Sequence, residues 1–473
     1  CQRPLSILQK KLPNYSKPYR MNINKIHTAY FLGIGGIGMS ALARYLSSKG
    51  VQVSGYDKTT TPLTRALEAE GIHIHYTPDI SLIPANPDIV VYTPAVPDTF
   101  EEWPQIKASG VPVVKRAAML AAIINSLQLI AVAGTHGKTT VSAMLSHAME
   151  TMAVPFLGFV GGVLSGYNKN IFMHPDAQWA VAEADEYDRS FLQLKPYISI
   201  INAIDADHLD IYGSEKTLQD SFSQFAAQTS KDGFVLVFDD IQKEKLQLPE
   251  NVVLYGFTNN NGYSARNIHV RSGRFVFDIF LNDTLLEAAI HSPAAGRHNV
   301  QNATAAFAAL HLAGFPPTQI AQAIESYPGV KRRLELIAEN SKVTYYDDYA
   351  HHPAEIAALL NTIRELYPER KITGIFQPHL FTRTRDFGDE FGQVLSLFDV
   401  PVVTDIYPAR ELPIPGIDAQ WLLSKIQNPA KKYLPYYQIP DIVTEDLEGI
   451  LLTIGAGDID AKIEIIKKRI LTS

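Results

Sequence analysis

The sequence predicts an α/β fold with three domains. Short apolar runs typical of buried strands alternate with helix-like stretches through most of the chain, which favours parallel sheets covered by helices. Two of the strand-to-helix connections carry glycine-rich turns. The length of 473 residues corresponds to about three domains of ordinary size. These three observations together define the predicted fold class.

The first glycine-rich turn follows a predicted strand at Thr28–Leu32 and precedes a helix-like run at residues 39–46. Residues 33–38 fit the pattern G-x-G-x-x-G, and the next predicted strand, residues 51–56, ends at Asp57. This spacing is typical of a Rossmann-like domain, in which the glycines approach a diphosphate and the acid meets a ribose hydroxyl. Taken alone, it indicates an NAD-dependent oxidoreductase.

The second glycine-rich turn lies between a predicted strand at residues 127–132 and a helix-like run at residues 141–146. Such a turn directs backbone N–H groups and a helix dipole at phosphate, and here Lys138 adds a charge for the outer phosphates and Thr139 a hydroxyl for Mg²⁺. The match to a general P-loop is incomplete, because Val132 replaces a glycine; an ordinary glycine-rich turn is the alternative. The turn consists of Gly134, Thr135, His136, Gly137, Lys138, Thr139 and Thr140.

Acidic residues follow two further predicted strands. Residues 179–182 lead into Glu183, Asp185 and Glu186, and residues 197–202 lead into a segment, residues 205–210, that holds three aspartates and His208. Carboxyl ends of parallel strands meet at one sheet edge, and clustered carboxylates repel one another unless a cation lies among them. The pattern predicts a magnesium–nucleotide site beside the phosphate loop. Solvated acidic turns around a hydrogen-bonded histidine are the alternative.

The last third of the chain adds histidines and arginines at predicted strand ends. His351 and His352 follow two aspartates, and residues 377–386 include Arg383 and Arg385. Paired histidines beside acids can bind zinc, but no third ligand follows at an obvious spacing, so a nucleotide- or substrate-facing loop is preferred. Arginines suit a carboxylate or phosphate, with a solvated face as the alternative. Residues 331–333 form a basic run at a predicted domain junction.

Composition excludes some classes of function. The net charge of −7 argues against broad nucleic-acid affinity, and no apolar stretch is long enough to span a bilayer. The single cysteine excludes an intrachain disulfide. We therefore expect a cytoplasmic protein with no nucleic-acid or membrane partner. Cys1 with no preceding methionine leaves a lipid-modified start conceivable, but a start at Met21 is preferred.

The predicted boundaries are residues 1–20 as a disordered or non-native extension, 21–126 as a Rossmann-like N-terminal domain, 127–329 as a central P-loop ATPase-type parallel sheet, and 330–473 as a C-terminal Rossmann-like domain. The central domain includes a more β-rich insertion with predicted strands at residues 234–238 and 274–280. A helix is predicted at residues 299–314, which are rich in alanine.

These motifs, in this order, resemble the Mur ligases of bacterial peptidoglycan synthesis, over residues 24–457. The likeness includes the position of Gly134, which comes later in the second glycine-rich turn than the general P-loop pattern requires. The matching segments lie at residues 33–39, 134–140, 183–186, 207–208, 296–299, 302–303, 329–333, 348–353 and 377–379. Within the family, the chain is most similar to the members that use L-alanine.

The resemblance implies one domain each for a UDP-sugar, ATP and an amino acid. The implied activity is ATP-dependent ligation of L-alanine to the lactyl carboxylate of UDP-N-acetylmuramate through an acyl phosphate, with ATP and Mg²⁺ as cofactors. Phosphorylation supplies the leaving group that a carboxylate lacks, and its catalysis is mostly positioning and charge neutralisation.

The resemblance also implies residue roles. Lys138, His208 and Arg383 are the implied catalytic residues. Thr139 and Glu183 resemble ligands of a first Mg²⁺, and His208 resembles a ligand of a second. ATP contacts are implied for the phosphate loop and for Asn302, which resembles the adenine contact, and for Arg332 and Asp348. Substrate contacts are implied at Gly33, Gly35, Gly36, Gly38, Met39, Asp57, His351, His379 and Arg383.

Leu380 replaces an arginine that many relatives carry, so the preference for L-alanine over glycine or L-serine depends on Arg383. No carbamylated lysine is predicted. A ligase that recycles murein tripeptide onto the same UDP-sugar is the nearest alternative. The NAD-dependent oxidoreductase and a non-catalytic nucleotide-sensing switch are alternatives of other classes. A monomer or weak homodimer is expected.

Overall fold

The computed structural model describes residues 21–187, 189–205, 212, 214–241, 243–258, 261–271, 274–292, 294–409 and 411–472. The chain divides into two compact units, the first ending at Ser126 and the second beginning at Leu127. Each unit is described by itself.

The first unit contains a five-stranded parallel sheet in the order β3-β2-β1-β4-β5. This is the order of the first five strands of a doubly wound Rossmann-like sheet, and β1 lies at its centre with both faces buried. The predicted strand at Thr28–Leu32 is therefore confirmed, and the glycine-rich turn leaves its carboxyl end. The elements are β1 Thr28–Leu32, α1 Ile37–Ser48, β2 Gln52–Tyr56, α2 Pro62–Ala69, β3 His73–His75, β4 Ile89–Tyr92, α3 Trp103–Ala108, β5 Val113–Lys115 and α4 Arg116–Ile124.

The second unit begins with a ten-stranded sheet in the order β15-β14-β13-β12-β11-β10-β6-β9-β7-β8. Its strands from β13 to β7 pair in parallel, and antiparallel pairing occurs only at the two edges among the strands described here. The elements are β6 Gln128–Ala133, α5 Lys138–Thr151, β7 Phe156–Phe159, β8 Ile171–Met173, β9 Trp179–Glu183, β10 Ile198–Ile201, α6 Glu215–Ala227, β11 Phe234–Phe238, β12 Val252–Gly256, β13 Gly262–Arg271, β14 Arg274–Leu281, β15 Thr284–His291, α7 Arg297–Leu312 and α8 Pro317–Glu325.

The expected β-rich insertion extends this sheet and does not form a separate layer. β11 continues the parallel order beside β10, and β13 to β15 form an antiparallel meander at the edge. The runs at both predicted positions are apolar enough to be buried against α7, which explains why they join the central sheet. The predicted alanine-rich helix is confirmed as α7, whose small buried side chains allow close packing on α5 and the sheet.

The C-terminal sheet has six strands in the order β16-β17-β21-β18-β19-β20, parallel except for β16. Neighbouring residues Tyr345 and Tyr346 lie in different apolar clusters, so both faces of the sheet are covered. The elements are β16 Glu335–Glu339, β17 Val343–Asp348, α9 Pro353–Leu366, β18 Ile372–Phe376, α10 Phe381–Asp386, α11 Gly388–Leu395, β19 Val400–Val403, α12 Ala419–Lys425, β20 Lys432–Tyr433, β21 Gly449–Ile454 and α13 Ile463–Thr472.

The chain passes from the central sheet to the C-terminal sheet along a short backbone pairing. Leu164 and Val330 form an antiparallel bridge. On either side of it, the Ser165 N–H donates to the Gly329 carbonyl and the Lys331 N–H donates to the Val163 carbonyl, both at 3.0 Å. The junction is thus fastened to the loop that follows β7.

Six short 3-10 helices complete the described architecture, at Ile23–Lys25, Ile80–Leu82, Ser190–Gln193, Lys243–Lys245, Tyr436–Ile442 and Asp458–Lys462. Among the helices that the structure describes, none combines the length and the apolar character required to cross a membrane. The predicted α/β class with parallel-sheet layers is confirmed.

Candidate active site

The phosphate-loop segment leaves β6 and ends where α5 begins at Lys138. Its two glycines have positive φ, +137° at Gly134 and +82° at Gly137. A Cβ on Gly134 would lie 2.8 Å from the Ala203 nitrogen, so this glycine lets the loop pack against the end of β10. The first turn of α5 has N–H groups without intrahelical partners, which suits an anion. The loop therefore has the form that the sequence predicts for phosphate binding.

Lys138 is paired inside the second unit. Its ammonium donates to both carboxylate oxygens of Glu186, at 2.8 and 2.9 Å, and to the Gly134 carbonyl at 2.7 Å. The Glu186 side chain is fully buried and that of Lys138 is 17% exposed. Burial raises the pKa of Glu186, and the Lys138 charge opposes that shift. Glu186, which was predicted only as a member of the acidic cluster, thus fixes the lysine at the base of the loop.

Ser142 connects the backbone of Thr139 to the carboxylate of Glu183. The Ser142 hydroxyl lies 3.1 Å from the Thr139 carbonyl and 3.2 Å from Glu183 Oε1. Glu183 also accepts the Gly161 N–H at 2.7 Å, and a Cβ on Gly161 would lie 2.4 Å from both carboxylate oxygens. Gly161 therefore leaves room for the carboxylate beside the loop.

The Glu183 carboxylate and the Thr139 hydroxyl are the kind of group that fits Mg²⁺, which takes oxygen ligands and needs only one or two protein carboxylates beside phosphate. Within the described ranges, no group of three histidine, cysteine, aspartate or glutamate side chains has metal-site geometry. The predicted ligand His208, with Asp207 and Asp210, lies outside the described residues.

Asp205, which lies a few residues after the end of β10, contacts the phosphate loop through His136 and Thr135. Its carboxylate lies 3.2 Å from His136 Nε2 and accepts the Thr135 hydroxyl at 3.3 Å. The hydrogen bond from His136 lowers the pKa of Asp205. These contacts fix the side chains of His136 and Thr135.

A cavity of about 1310 Å³ lies above the loop, between it and the C-terminal sheet. This volume exceeds that of a typical small-molecule site, so it has room for more than a nucleotide. Predicted site residues from both sides line it: Thr135, His136, Gly137, Lys138, Thr139, Thr140, Asn302, Asp348, His351 and Arg383. Gly134, Glu183, Arg332 and His379 are not part of the lining.

Arg332 and Arg333 have different surroundings. The Arg332 guanidinium donates to the carbonyls of Gly455 and Gly457, at 2.5 and 3.0 Å, and lies 3.3 Å from Asp347. It therefore fastens the junction to the C-terminal sheet, whereas Arg333 is exposed and lines the cavity. Arg332 stays the ATP contact that the family resemblance implies, and the position of Arg333 at the cavity makes it a second candidate for that contact.

Asp348 lines the cavity, but its carboxylate is engaged by backbone groups. Its two oxygens accept the N–H groups of Leu334 and Ala350, at 2.7 and 2.8 Å. Burial raises its pKa, against the opposing charge of Arg333. Asn302 is buried, and its amide is hydrogen bonded to those of Asn202 and Asn299. Both predicted ATP contacts are therefore rigidly held.

On the C-terminal side, Arg383 lies in the first turn of α10 and its Nη1 is 3.3 Å from His379 Nδ1. The rings of His379 and His351 are 6.1 Å apart. Burial, with the charge of Arg383, lowers the pKa of His379 to about 4, and burial also lowers the pKa of His351. Two neutral imidazoles beside one guanidinium suit a small carboxylate.

The zinc alternative for the paired histidines has no support in this geometry. His352 caps the start of α9, where its Nδ1 accepts the Ala354 N–H at 3.4 Å. His351 Nδ1 lies 3.0 Å from the Tyr349 carbonyl. The two side chains thus serve different local structures.

The first unit carries the other glycine-rich turn, at residues 33–38. Gly33 has φ +80°, and the Gly35 N–H donates to Asp57 at 2.8 Å. Asp57 thus supports the turn. A Cβ on Gly38 would lie 2.8 Å from Arg116 Nη1, which places a guanidinium at the start of α1. Sequence reasoning missed Arg116, because it lies far along the chain from the glycines.

The remaining predicted residues of this turn are Gly36 and Met39. Gly36 is the N-cap of α1. The Met39 side chain is 1% exposed, so it packs beneath the turn and a ligand contact would come from its backbone.

A phosphate loop with a nearby carboxylate faces Arg383 and His351 across one cavity, an arrangement that suits a nucleotide-dependent ligase. Three family models match the chain: the Mur ligase family catalytic domain at residues 28–127, the Mur ligase middle domain at residues 132–310, and the Mur ligase glutamate ligase domain at residues 332–458. The chain belongs to the Mur ligase family, which consists of ATP-dependent ligases.

Two curated relatives are both named UDP-N-acetylmuramate–L-alanine ligase. The protein of Christiangramia forsetii is 42% identical over 457 residues, 95% of this chain and 99% of the relative. That of Cytophaga hutchinsonii is 43% identical over 458 residues, 94% of this chain and 97% of the relative.

Solved structures give the same result for the fold. A UDP-N-acetylmuramate–alanine ligase of Thermotoga maritima matches with a TM-score of 0.81 and 27% identity, covering 94% of this chain and 99% of that one. A murein peptide ligase of Psychrobacter arcticus has a TM-score of 0.68 at 23% identity, covering 94% and 98%, which shows a shared fold.

Proposed function

We propose that this chain joins L-alanine to the lactyl carboxylate of UDP-N-acetylmuramate at the expense of ATP, in peptidoglycan precursor synthesis. The observation that carries the proposal is the single cavity lined by Lys138 and Thr139 on one side and by His351 and Arg383 on the other. Relatives named for this reaction are similar to the chain over nearly its full length.

In the first step, an oxygen of the lactyl carboxylate attacks the γ-phosphorus of ATP, and ADP leaves. Lys138 is positioned to stabilise the charge that develops on the transferred phosphoryl group, and the first turn of α5 adds N–H groups. Thr139 and Glu183 would hold Mg²⁺, with His208 for a second ion. When bound, Mg²⁺ neutralises phosphate charge.

In the second step, the amine of L-alanine attacks the acyl carbon of the acyl phosphate, and inorganic phosphate leaves. Arg383, with neutral His379 and His351, would bind the carboxylate of the alanine and so direct its amine at the acyl carbon. Charge-assisted contacts from a guanidinium fix the orientation of a carboxylate.

We also propose that residues 21–126 bind the UDP-sugar, 127–329 bind ATP and 330–473 bind the amino acid. The turn at residues 33–38 and Arg116 suit the UDP diphosphate, with Asp57 as the support of that turn. A cytoplasmic location and a monomer or weak homodimer complete the proposal. Family membership leaves the NAD-dependent oxidoreductase hypothesis without support.

The test is phosphate release with UDP-N-acetylmuramate, ATP and Mg²⁺, comparing L-alanine with the murein tripeptide, glycine and L-serine. We expect release with L-alanine and none when ATP is omitted. Release only with the tripeptide would assign the chain to peptide recycling. ATP binding without any amino-acid-dependent release would support the nucleotide-sensing switch.

A further inference from the structure

A fully buried tyrosine hydroxyl lies behind the phosphate loop. Tyr255, near the end of β12, is 0% exposed and donates from its hydroxyl to Asn202 Oδ1 at 2.6 Å. Asn202 follows β10, two strands away in the sheet. Neither residue belongs to a sequence motif of the predicted site.

The contact with Tyr255 sets the orientation of the Asn202 amide. With its oxygen facing the phenol, its nitrogen donates to the His136 carbonyl and to Asn302 Oδ1, both at 3.0 Å. The Asn202 backbone is fixed as well, because its N–H donates to the Ala133 carbonyl at 3.0 Å and its carbonyl accepts from Gln301 at 2.9 Å. The side chain thus connects the sheet to the phosphate loop.

Gly137 shows how closely the loop fits this amide. A Cβ at that position would lie 2.1 Å from Asn202 Nδ2 and 2.6 Å from Asn302 Oδ1. The peptide between His136 and Gly137 is planar and trans, so its carbonyl and N–H point in opposite directions. Holding the His136 carbonyl against Asn202 therefore turns the Gly137 N–H away from the buried side.

The network continues into α7, which bears the predicted adenine contact. Asn302 Nδ2 donates to Asn299 Oδ1 at 3.2 Å, and Asn299 Nδ2 donates to the Ala295 carbonyl at 2.6 Å. Each amide nitrogen in the series therefore has an acceptor and each amide oxygen a donor. A buried polar network that is fully paired makes its geometry rigid.

We propose that Tyr255 and Asn202 are positioning residues for ATP, which act by fixing the phosphate loop and Asn302 in the geometry that receives the nucleotide. Neither touches the reacting atoms. The inference rests on the proposed function, because it takes the occupant of the loop to be ATP. It predicts that loss of one buried hydroxyl changes ATP binding selectively.

The test is Tyr255→Phe with Tyr263→Phe as its matched control. Tyr263 is 1% exposed on the adjoining strand β13, and its hydroxyl lies 2.7 Å from His311 Nδ1 of the same helix, α7, away from the loop. Both variants lose one hydrogen bond of a buried tyrosine, so similar losses of thermal stability are expected. Only Tyr255→Phe should weaken ATP binding, by about tenfold in the Kd measured by calorimetry.

Steady-state kinetics separate positioning from general damage. In Tyr255→Phe we expect the KM for ATP to rise about tenfold while the KM for L-alanine stays within about twofold of wild type. Equal changes for both substrates, or a Tyr263→Phe variant that loses ATP affinity equally, would reduce Tyr255 to a structural role and overturn the proposal.

Asn202→Asp is the second variant, because it keeps the side-chain shape and removes the N–H donor. A folded Asn202→Asp protein with wild-type ATP affinity contradicts the proposal even if Tyr255→Phe does not fold. The wild-type protein is the reference: if it binds no ATP, the proposed function and this inference both fail, whereas ATP-binding wild type with an unaffected Tyr255→Phe rejects the inference alone.

Discussion

The Lys138 ammonium lies 2.8 and 2.9 Å from the two carboxylate oxygens of Glu186, whose side chain is fully buried. The phosphate loop therefore presents its cation already oriented, with the charge balanced from beneath. Removing one member of such a pair leaves the other charge uncompensated, which is more costly than replacing both. Single and double variants of this pair can therefore separate the effect of Lys138 on stability from its effect on catalysis.

Lys138→Ala should abolish turnover and lower the free energy of unfolding by up to about 3 kcal/mol, because the buried Glu186 carboxylate loses its partner. Lys138→Ala/Glu186→Gln should recover most of the stability and none of the activity. UDP-sugar binding should persist in both, since another glycine-rich turn is proposed to bind that ligand. Chemical denaturation, phosphate release and calorimetry with the UDP-sugar measure these effects. Turnover by the double variant would contradict the role of Lys138.

Glu183→Ala should abolish activity or raise the Mg²⁺ concentration required for half-maximal rate, because the carboxylate beside the phosphate loop is lost. The measurement is a magnesium titration of phosphate release at saturating substrates. Asp232→Ala is the control, as Asp232 is an exposed acid on the connection before β11. An unchanged titration in Glu183→Ala would place the metal elsewhere.

Gly137→Ala should eliminate detectable ATP binding, because the new methyl group would overlap Asn202 and Asn302. Gly314→Ala is a matched control: its φ of +94° imposes the same backbone strain, but no atom lies within 4 Å of the added Cβ. We expect that control to lose about 1–2 kcal/mol of stability and no ATP affinity. Thermal shift with and without ATP reports both quantities, and equal ATP responses in the two variants would refute the packing argument.

The two adjacent arginines should respond differently to truncation. Arg333→Ala should raise the KM for ATP several-fold with little change in melting temperature, because its exposed guanidinium lines the cavity. Arg332→Ala should lower the melting temperature, because two backbone carbonyls and Asp347 lose their partner. The opposite pattern would support Arg332 as the ligand contact predicted from sequence.

Acidification should destabilise the protein partly through His379. Burial and the charge of Arg383 lower its pKa from 6.5 to about 4, so the folded state binds fewer protons than the unfolded state between these values. Stability is therefore fully present above pH 6.5 and is lost as the pH falls towards 4. His379→Gln should lose roughly 1–2 kcal/mol less than wild type between pH 8 and pH 5, measured by denaturant unfolding. An equal loss in both proteins would exclude this contribution.

Much of the fold could be predicted, because strands that are buried on both faces of a sheet appear in the sequence as continuous apolar runs. The strand at Thr28–Leu32, the phosphate loop and the alanine-rich helix α7 all follow from local patterns. The placement of β11 to β15 could not be predicted, since pairing at a sheet edge depends on contacts distant in sequence. A strand pattern identifies the buried residues but not the neighbouring strand.

The site divides in the same way. The glycines of the phosphate loop, Lys138 and Thr139 lie close together in the sequence at a spacing typical of phosphate binding, so the sequence identifies them. Tyr255, Asn202 and Arg116 act through positions that only the folded backbone brings together. The difference between Arg332 and Arg333 depends on which guanidinium finds carbonyl partners in the C-terminal sheet, and no local pattern contains that information.

The bridge between Leu164 and Val330 limits how the active-site cavity can change its width. If the C-terminal sheet rotated, it would pivot at this bridge, so the displacement of a residue in that sheet would grow with its distance from Val330. Arg333, three residues beyond, would stay almost stationary, while Arg383 on α10 would travel farther. A ligand bound by Arg333 would therefore keep that contact during such a rotation, and the cavity would change its width mainly on the side of Arg383.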